Sequence, residues 1–262
     1  MAIATQLPLD YDITIVGHYL PGDPMEPEYI SQWAGAIWLG VHDCSAREKR
    51  MQLDALAALW ALAGAHPESS VRRIKMREVQ DYGKPDGVWY SRHVPSNREL
   101  PKSELPEGAA FGMEWETVVI TPPIFLPWLR ERLERRGVVF KRAWVRSLAD
   151  LKGLGHDVLI NATSFGSRDL LDVKEKRIQS VKQQNLRIKK PGYDRLYIRR
   201  RENGDYYSTA FSRADGTIYI GGIKTFGAHD FTVNQEHRQK VSVLAGSLQG
   251  RSDIFPDNST CP

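Results

Sequence analysis

The strand-like segments of this sequence follow two different hydrophobic patterns, and the fold must satisfy both. Residues 12–17 and 157–163 are short, nearly continuous apolar runs, which predict buried strands of a parallel sheet covered on both faces. Beyond residue 180, apolar and polar residues alternate, and a turn at residues 214–216 precedes the run 217–223. This alternation predicts an antiparallel sheet with one face toward solvent. The chain therefore requires two kinds of sheet.

A helix, a glycine and a strand follow one another near the middle of the chain. Apolar residues at helical spacing predict a helix over residues 124–136, with Pro127 in its first turn. We expect Gly137 to end this helix and a strand to run from Val138 to Val145. This sequence of elements is typical of α/β folds. Two further helices are predicted, over residues 46–63 and 233–248.

Length and composition indicate a globular protein of about two domains. The chain has 262 residues, of which 41% are hydrophobic, so a sizeable core is feasible. Two cysteines make no disulfide framework, residues 1–12 carry no secretory pattern, and no apolar run is long enough to cross a membrane. We expect a cytoplasmic or peroxisomal protein, although the last three residues are not the Ser-Lys-Leu signal.

Several short motifs occur in a fixed order along the chain. They are Leu-Pro-Gly-Asp at residues 20–23, Ser-Gln-Trp-Ala-Gly-Ala-Ile-Trp at 31–38, Asn-Ala-Thr at 161–163 and Gly-Gly at 221–222, with Val-Asn at 233–234 after them. Because these motifs occur in this order, the chain resembles the D-amino-acid oxidase family of flavoproteins, particularly its fungal members. The resemblance covers approximately residues 12–248.

The resemblance implies a fold, a cofactor and a reaction. The fold is α/β plus α+β: an incomplete FAD-binding domain of the nucleotide-binding type over residues 1–75 and 137–175, and an antiparallel-sheet substrate domain over 76–136 and 176–250. Residues 251–262 are predicted to be a disordered tail. The implied reaction is oxidative deamination of D-amino acids or related amines, with O₂ reduced to H₂O₂. The implied partner is a small amino-acid substrate, and a homodimer is left open.

The family pattern also assigns candidate site residues. Small residues allow the backbone to approach a cofactor edge, so residues 34–36 are expected at the flavin. The alternative is a packed loop in which small residues merely fit. The implied FAD-binding residues are Ser31, Trp33, Ala34, Gly35, Ala36, Ile37 and Val145, and the implied catalytic residues are Tyr206 and Tyr207. For these two tyrosines the alternative is aromatic packing against the sheet.

The chain also departs from the family pattern. The family begins with a strand, Gly-x-Gly-x-x-Gly and a helix that hold the FAD pyrophosphate, and this sequence contains no such motif. His18 stands where a charged residue usually binds the adenosine end, and Ser164 and Gln183 stand where glycines are usual. These departures predict an oxidase that is impaired or inactive in the chain as given. The alternative is a flavin-free relative that acts as a binding or interaction protein.

Two further readings concern nucleic acids and metals. Residues 187–201 combine basic and aromatic side chains, which in some proteins bind single-stranded nucleic acid. We favour the solvated face of a hairpin for this stretch. His42 and Cys44 lack a cluster of further ligands, so no metal site is predicted.

Overall fold

The protein is described by a computed structural model over residues 1–189, 191–201 and 208–246. These residues form two compact units. Unit 1 consists of Met1–Trp33, Leu126–Lys182 and Thr225–Phe231. Unit 2 consists of Ala34–Phe125, Gln183–Lys224 and residues 232–246. The predicted division into an FAD-binding and a substrate domain, which has other bounds, stays a prediction.

The described residues form helices and strands in the following order. The strands are β1 (Thr14–Gly17), β2 (Arg72–Gln80), β3 (Arg98–Glu99), β4 (Phe111–Val119), β5 (Val139–Arg142), β6 (Val181–Lys189), β7 (Arg195–Arg200), β8 (Ser208–Ser212) and β9 (Thr217–Phe226). The α-helices are α1 (Ala2–Gln6), α2 (Ile30–Trp33), α3 (Ala46–Ala65), α4 (Pro122–Glu134) and α5 (Gln235–Gly246). Short 3₁₀ turns span Pro67–Ser69, Pro85–Gly87, Lys102–Glu104, Leu148–Leu154 and Ser164–Arg168.

Unit 2 is built on a seven-stranded, mostly antiparallel sheet in the order β3-β4-β2-β7-β8-β9-β6. Neighbouring strands β2 and β4 pair antiparallel, as do β7 with β8 and β8 with β9. Strands β2 and β7 instead pair parallel, with Lys75 opposite Arg195. This sheet confirms the antiparallel part of the predicted fold.

The core of unit 2 fills both faces of the central strands. Met76, Trp115 and Ile198 are fully buried, and Leu56 brings α3 against the same cluster. Residues 217–222 of β9 are buried without alternation. The prediction of one solvent-facing side is therefore wrong for β7 and β9, because central strands of a seven-stranded sheet are covered on both sides.

Unit 1 contains a two-stranded parallel sheet. Strands β1 and β5 pair with Thr14 opposite Val139. Helix α4 leads into β5 through Gly137, which has a φ of +85° and donates its N–H to the Glu134 carbonyl. This confirms the predicted step from helix to glycine to strand, although β5 ends at Arg142 rather than at residue 145.

The position of Pro127 differs from the prediction. Helix α4 begins at Pro122, earlier than expected, so Pro127 lies inside the helix and not in its first turn. A proline there cannot donate the usual i to i−4 hydrogen bond. The helix has an intact start, since the Thr121 carbonyl accepts from the N–H groups of Ile124 and Phe125.

The predicted buried strand at residues 157–163 is wrong. This segment is irregular, and Val158, Leu159 and Ile160 are 73%, 40% and 48% exposed. An extended segment becomes a strand only when a neighbour satisfies its backbone groups, and within the described ranges no strand lies beside it. Strand β1, also predicted as buried, is mostly half-exposed, because it lies in a sheet of only two described strands. In the part of the chain that is described, no helix is long and apolar enough to span a bilayer.

Candidate functional site

The small-residue segment 34–37 is attached to the end of β4 in unit 2. Ile37 forms an antiparallel bridge to Val119. The Ala36 N–H donates to the Ile120 carbonyl at 3.1 Å, and the Ile120 N–H donates back to the Ala36 carbonyl at 2.9 Å. The sheet therefore holds this segment as it would hold an additional short strand.

Arg213 holds the other side of the segment. Its side chain is almost fully buried, its Nε donates to the Gly35 carbonyl at 2.8 Å, and its Nη2 donates to the Ala34 carbonyl. The guanidinium lies 4.4 Å from the ring centroid of Tyr219. Burial lowers the pKa of Arg213, with the nearby tyrosine and Asp215 opposing. Two carbonyls of the segment are thus turned toward a buried cation.

Gly35 has a packing reason to be glycine. A Cβ at this position would lie 3.1 Å from Cζ of Phe211, which is a buried core residue. Ala34 is exposed, and Gly35, Ala36 and Ile37 are half-exposed. The segment therefore presents a surface of small side chains that a flat ligand can approach closely.

Gln183, which stands at a family glycine position, lies against Gly222. Its Nε2 donates to Oδ1 of Asn185 at 3.0 Å. A Cβ at Gly222 would come within 2.4 Å of that Nε2, so the amide occupies space directly over this glycine. Ser164, at another family glycine position, has a φ of +50°, which is the left-handed conformation that favours glycine.

A buried polar network in unit 2 was missed by the sequence analysis. Glu78 is fully buried, and its carboxylate accepts from Tyr90 Oη at 2.7 and 2.9 Å, from Gln80 Nε2 at 3.0 Å and from Arg200 Nε at 3.0 Å. Burial and the adjacent carboxylate both raise the pKa of Tyr90, which keeps it a neutral donor. Burial acts to lower the pKa of Arg200, but Glu78 and Tyr90 raise it above its ordinary value.

This network joins separate parts of unit 2. Glu78 lies on β2, Arg200 on β7 and Tyr90 in the loop between β2 and β3. The only sequence signal was a charged residue inside a strand-like run, which is also typical of a solvent-facing position. The Glu78 carboxylate has hydrogen-bond partners at both oxygens, which indicates a structural role for the network.

In unit 1, His18 lies beside a strong ion pair. Arg142 donates to both carboxylate oxygens of Asp23, at 2.8 and 2.6 Å, and also to the His18 carbonyl at 2.8 Å. Hydrogen bonds from Arg142 and from the Leu20 N–H hold the pKa of Asp23 at about 2. The His18 ring lies edge-on to Trp144, with centroids 4.4 Å apart. This arrangement fixes the loop that follows β1.

The structure places the predicted FAD-binding residues in two groups. Residues 34–37 form the segment described above in unit 2. Ser31 and Trp33 lie on α2, and Val145 follows β5, all in unit 1. Trp33 donates from Nε1 to the Glu26 carbonyl at 2.9 Å. The predicted catalytic residues Tyr206 and Tyr207 lie outside the described residues, as does the predicted tail, so these assignments stay predictions.

Comparison with known proteins decides the family. A profile of the family described as "FAD dependent oxidoreductase" matches residues 31–250. The chain belongs to the FAD-dependent oxidoreductase family. That family implies FAD as the cofactor.

Among curated relatives, the D-amino-acid oxidase of Fusarium vanettenii is 28% identical, with 94% of this chain and 71% of that protein covered. The D-aspartate oxidase of Talaromyces thermophilus is 27% identical, with 87% and 66% covered. The chain therefore spans about two thirds of the length of these relatives.

Solved structures show the same fold. Glycine oxidase from Geobacillus kaustophilus has a TM-score of 0.62 and 16% identity, covering 90% of this chain and 73% of that one. L-proline dehydrogenase from P. horikoshii has a TM-score of 0.64 and 12% identity, covering 93% and 71%. The predicted mixed fold of an FAD-dependent oxidoreductase is confirmed.

The small residues of segment 34–37 are compatible with close approach of one edge of FAD. Ala34 is exposed and Gly35 and Ala36 are half-exposed, while Arg213 holds the carbonyls of Ala34 and Gly35. The pyrophosphate-binding glycine motif is not in the sequence, so the fit covers the flavin end of the cofactor only.

The basic stretch 187–201 does not form a hairpin. Strands β6 and β7 are not neighbours in the sheet, and β7 lies between β2 and β8. Arg199 is paired with Asp81 at 2.8 Å, and Arg200 with Glu78. The interpretation as one solvated hairpin face is therefore wrong, because the basic side chains are divided between separate strands and ion pairs. Among the residues described here, no three His, Cys, Asp or Glu side chains are grouped to hold a metal.

Proposed function

We propose that this protein is an oxidase of D-amino acids or related amines whose activity is impaired in the 262-residue chain as given. The observation that carries the proposal is the segment 34–37, which Arg213 and β4 hold with its small side chains accessible. The relatives named D-amino-acid oxidase and D-aspartate oxidase support the substrate class. A cytoplasmic or peroxisomal location and a homodimer belong to the same proposal.

In the proposed reaction, a D-amino acid, O₂ and water give a 2-oxo acid, ammonia and H₂O₂. FAD, when bound, supplies the two-electron acceptor that is reoxidised by O₂. Residues 34–37 would line the flavin edge, and Arg213 would keep their backbone in place. Tyr206 or Tyr207 would orient the substrate.

The impairment has an energetic basis. Hydrogen bonds to a charged group contribute roughly 1.5 to 3 kcal/mol each. A chain without the family's pyrophosphate-binding turn lacks two or three of them, which weakens FAD binding by several powers of ten. The Gln183 amide over Gly222 adds a side chain where the family keeps glycine.

A flavin-free binding protein is the second candidate. The same Gln183 amide favours it, as do the exposed apolar residues 158–160. According to this second proposal, segment 34–37 is only a packed loop, in which small residues allow packing against Phe211 and hydrogen bonding to Arg213.

One titration separates these proposals. The full chain is mixed with increasing FAD, flavin fluorescence is followed, and visible absorbance and peroxide release from D-amino acids are recorded after unbound FAD is removed. We expect weak quenching, no retained colour and no turnover. Gly35→Val should abolish the quenching because it crowds Phe211, whereas Gly87→Val, with open space around it, should leave the quenching unchanged.

Each other outcome is decisive. A yellow protein that turns over would show that the activity is not impaired. No quenching at any FAD concentration would favour the flavin-free protein. Quenching that survives Gly35→Val would show that segment 34–37 is not at the flavin.

A further inference from the structure

An open cavity of about 390 Å³ lies in unit 2, and none of residues 34–37 lines it. It is formed where α3 ends and β2 begins, together with the turn between β8 and β9. Ala63, Pro67, Val71 and Ala214 contribute apolar wall. Arg72 and Arg73, the first two residues of β2, contribute two positive charges.

Arg72 carries an uncompensated charge. Its Nη2 donates to the carbonyl and the hydroxyl of Ser212, which fixes the guanidinium. Burial lowers the pKa of Arg72, and only the charge of Asp194, which is largely exposed, opposes this. Over the described residues Arg72 forms no ion pair, and its Nε and Nη1 have no acceptor. Three donor hydrogens of a fixed, half-buried cation are thus available.

Arg73 is also held without a carboxylate. Its guanidinium lies 4.4 Å from the ring centroid of Trp60, and its Nη2 donates to the Trp60 carbonyl at 3.2 Å. No ion pair of Arg73 is found in the described ranges. Arg77, four residues further along the same strand, instead lies between Glu104 at 2.9 Å and Glu114 at 3.2 Å.

This contrast within one strand points to a ligand. At the half-buried Arg77, the chain supplies its own carboxylates. At Arg72 and Arg73 it supplies a cavity with apolar walls. Guanidinium groups bind carboxylates through paired N–H donors, and an anchored guanidinium loses little freedom on binding.

We propose that this cavity binds a small organic carboxylate with a short apolar tail. The carboxylate accepts from Arg72 and Arg73, and the tail packs against Ala63, Pro67 and Ala214. None of the lining residues belongs to segment 34–37, and the proposal does not rest on FAD binding or on the proposed oxidase activity.

The test is calorimetric titration of the full chain with hexanoate. Three comparison probes are used. Acetate has the carboxylate but lacks the apolar tail, hexanol has the tail but lacks the charge, and inorganic phosphate is an anion without a tail. We expect hexanoate to bind about tenfold more tightly than acetate or hexanol. Arg72→Met should weaken hexanoate binding by about tenfold or more, because it removes charged hydrogen bonds.

Two further variants keep the test decisive. Arg73→Met removes an exposed side chain, so it folds even if Arg72→Met does not, and should weaken hexanoate binding at least about threefold. Arg47→Met, on the exposed first turn of α3 and outside the cavity, should have no effect. Absence of hexanoate binding, phosphate binding as tightly as hexanoate, or equal effects of Arg47→Met and Arg73→Met would each overturn the proposal.

Discussion

The two compact units are stabilised in different ways. Unit 2 has a seven-stranded sheet whose central residues, such as Met76 and Ile198, are fully buried. Unit 1 has a two-stranded sheet, and its apolar residues Val139 and Trp144 are 48% and 68% exposed. Two strands alone are at best marginally stable in water. Unit 2 therefore has a large apolar core, whereas the apolar core of unit 1 is small and is formed around Ala4, Leu133 and Val138.

The largest expected effect comes from one buried aliphatic residue of unit 2. Ile198→Ala on β7 should lower the free energy of unfolding by about 2 to 5 kcal/mol, because it leaves a cavity in the core. The matched change Val139→Ala on β5 should cost only about 0.5 kcal/mol. Denaturant unfolding measures both. Equal losses would show that the units share one kind of core.

Hydrogen exchange should show the same contrast without mutation. Amides of β2 and β7 should exchange at least about a hundredfold more slowly than those of β1 and β5, because local opening of a two-stranded sheet costs little. Exchange followed by mass spectrometry or NMR on the full chain gives both rates. Comparable protection of all four strands would contradict the expectation that the sheet of unit 1 opens more easily than the sheet of unit 2.

The ion pair between Asp23 and Arg142 in unit 1 should make the stability of the protein depend on pH. The pKa of Asp23 is lowered from 3.8 to about 2 in the folded protein. Its contribution to stability is therefore present above the ordinary aspartate pKa and is lost as the pH falls from about 4 toward 2. In Arg142→Met the pKa of Asp23, measured by NMR, should rise toward its ordinary value, while the Leu20 N–H still lowers it. An unchanged midpoint would mean that Arg142 does not hold this carboxylate in solution.

The smallest expected effect concerns residues 157–163. Leu159→Thr should change the free energy of unfolding by less than about 0.5 kcal/mol, because the segment is exposed and pairs with no described strand. The same change should reduce self-association of the purified chain, which light scattering detects. A loss above about 1 kcal/mol would indicate that this segment is a buried strand after all.

Local signals in the sequence predicted most of the individual elements. Helix α3 begins at Ala46 as predicted, where Ser45 and Glu48 form reciprocal hydrogen bonds between side chain and backbone. Gly137 adopts the positive φ that its place after α4 suggests. These features depend on neighbours in the sequence, so a sequence pattern reports them directly.

Features that depend on distant residues were not predictable in this way. Residues 157–163 have the composition of a buried strand, but only a partner strand makes one. Glu78 is buried because Tyr90 and Arg200 reach it from other elements. The contact of Arg213, which follows β8, with segment 34–37 appears only once β8 and β4 lie in one sheet.

The parallel pairing of β2 with β7 also sets an order of events during synthesis. Lys75–Gln80 pair with Arg195–Arg200, each residue 120 positions before its partner in the chain. At roughly 5 to 20 residues per second, a ribosome needs about 6 to 24 s to make that interval. Throughout this time the β2 edge of the nascent sheet is open to other chains. Until β7 is made, the N–H and C=O groups on this edge of β2 have no strand partner, which makes the edge a site for pairing with other strands.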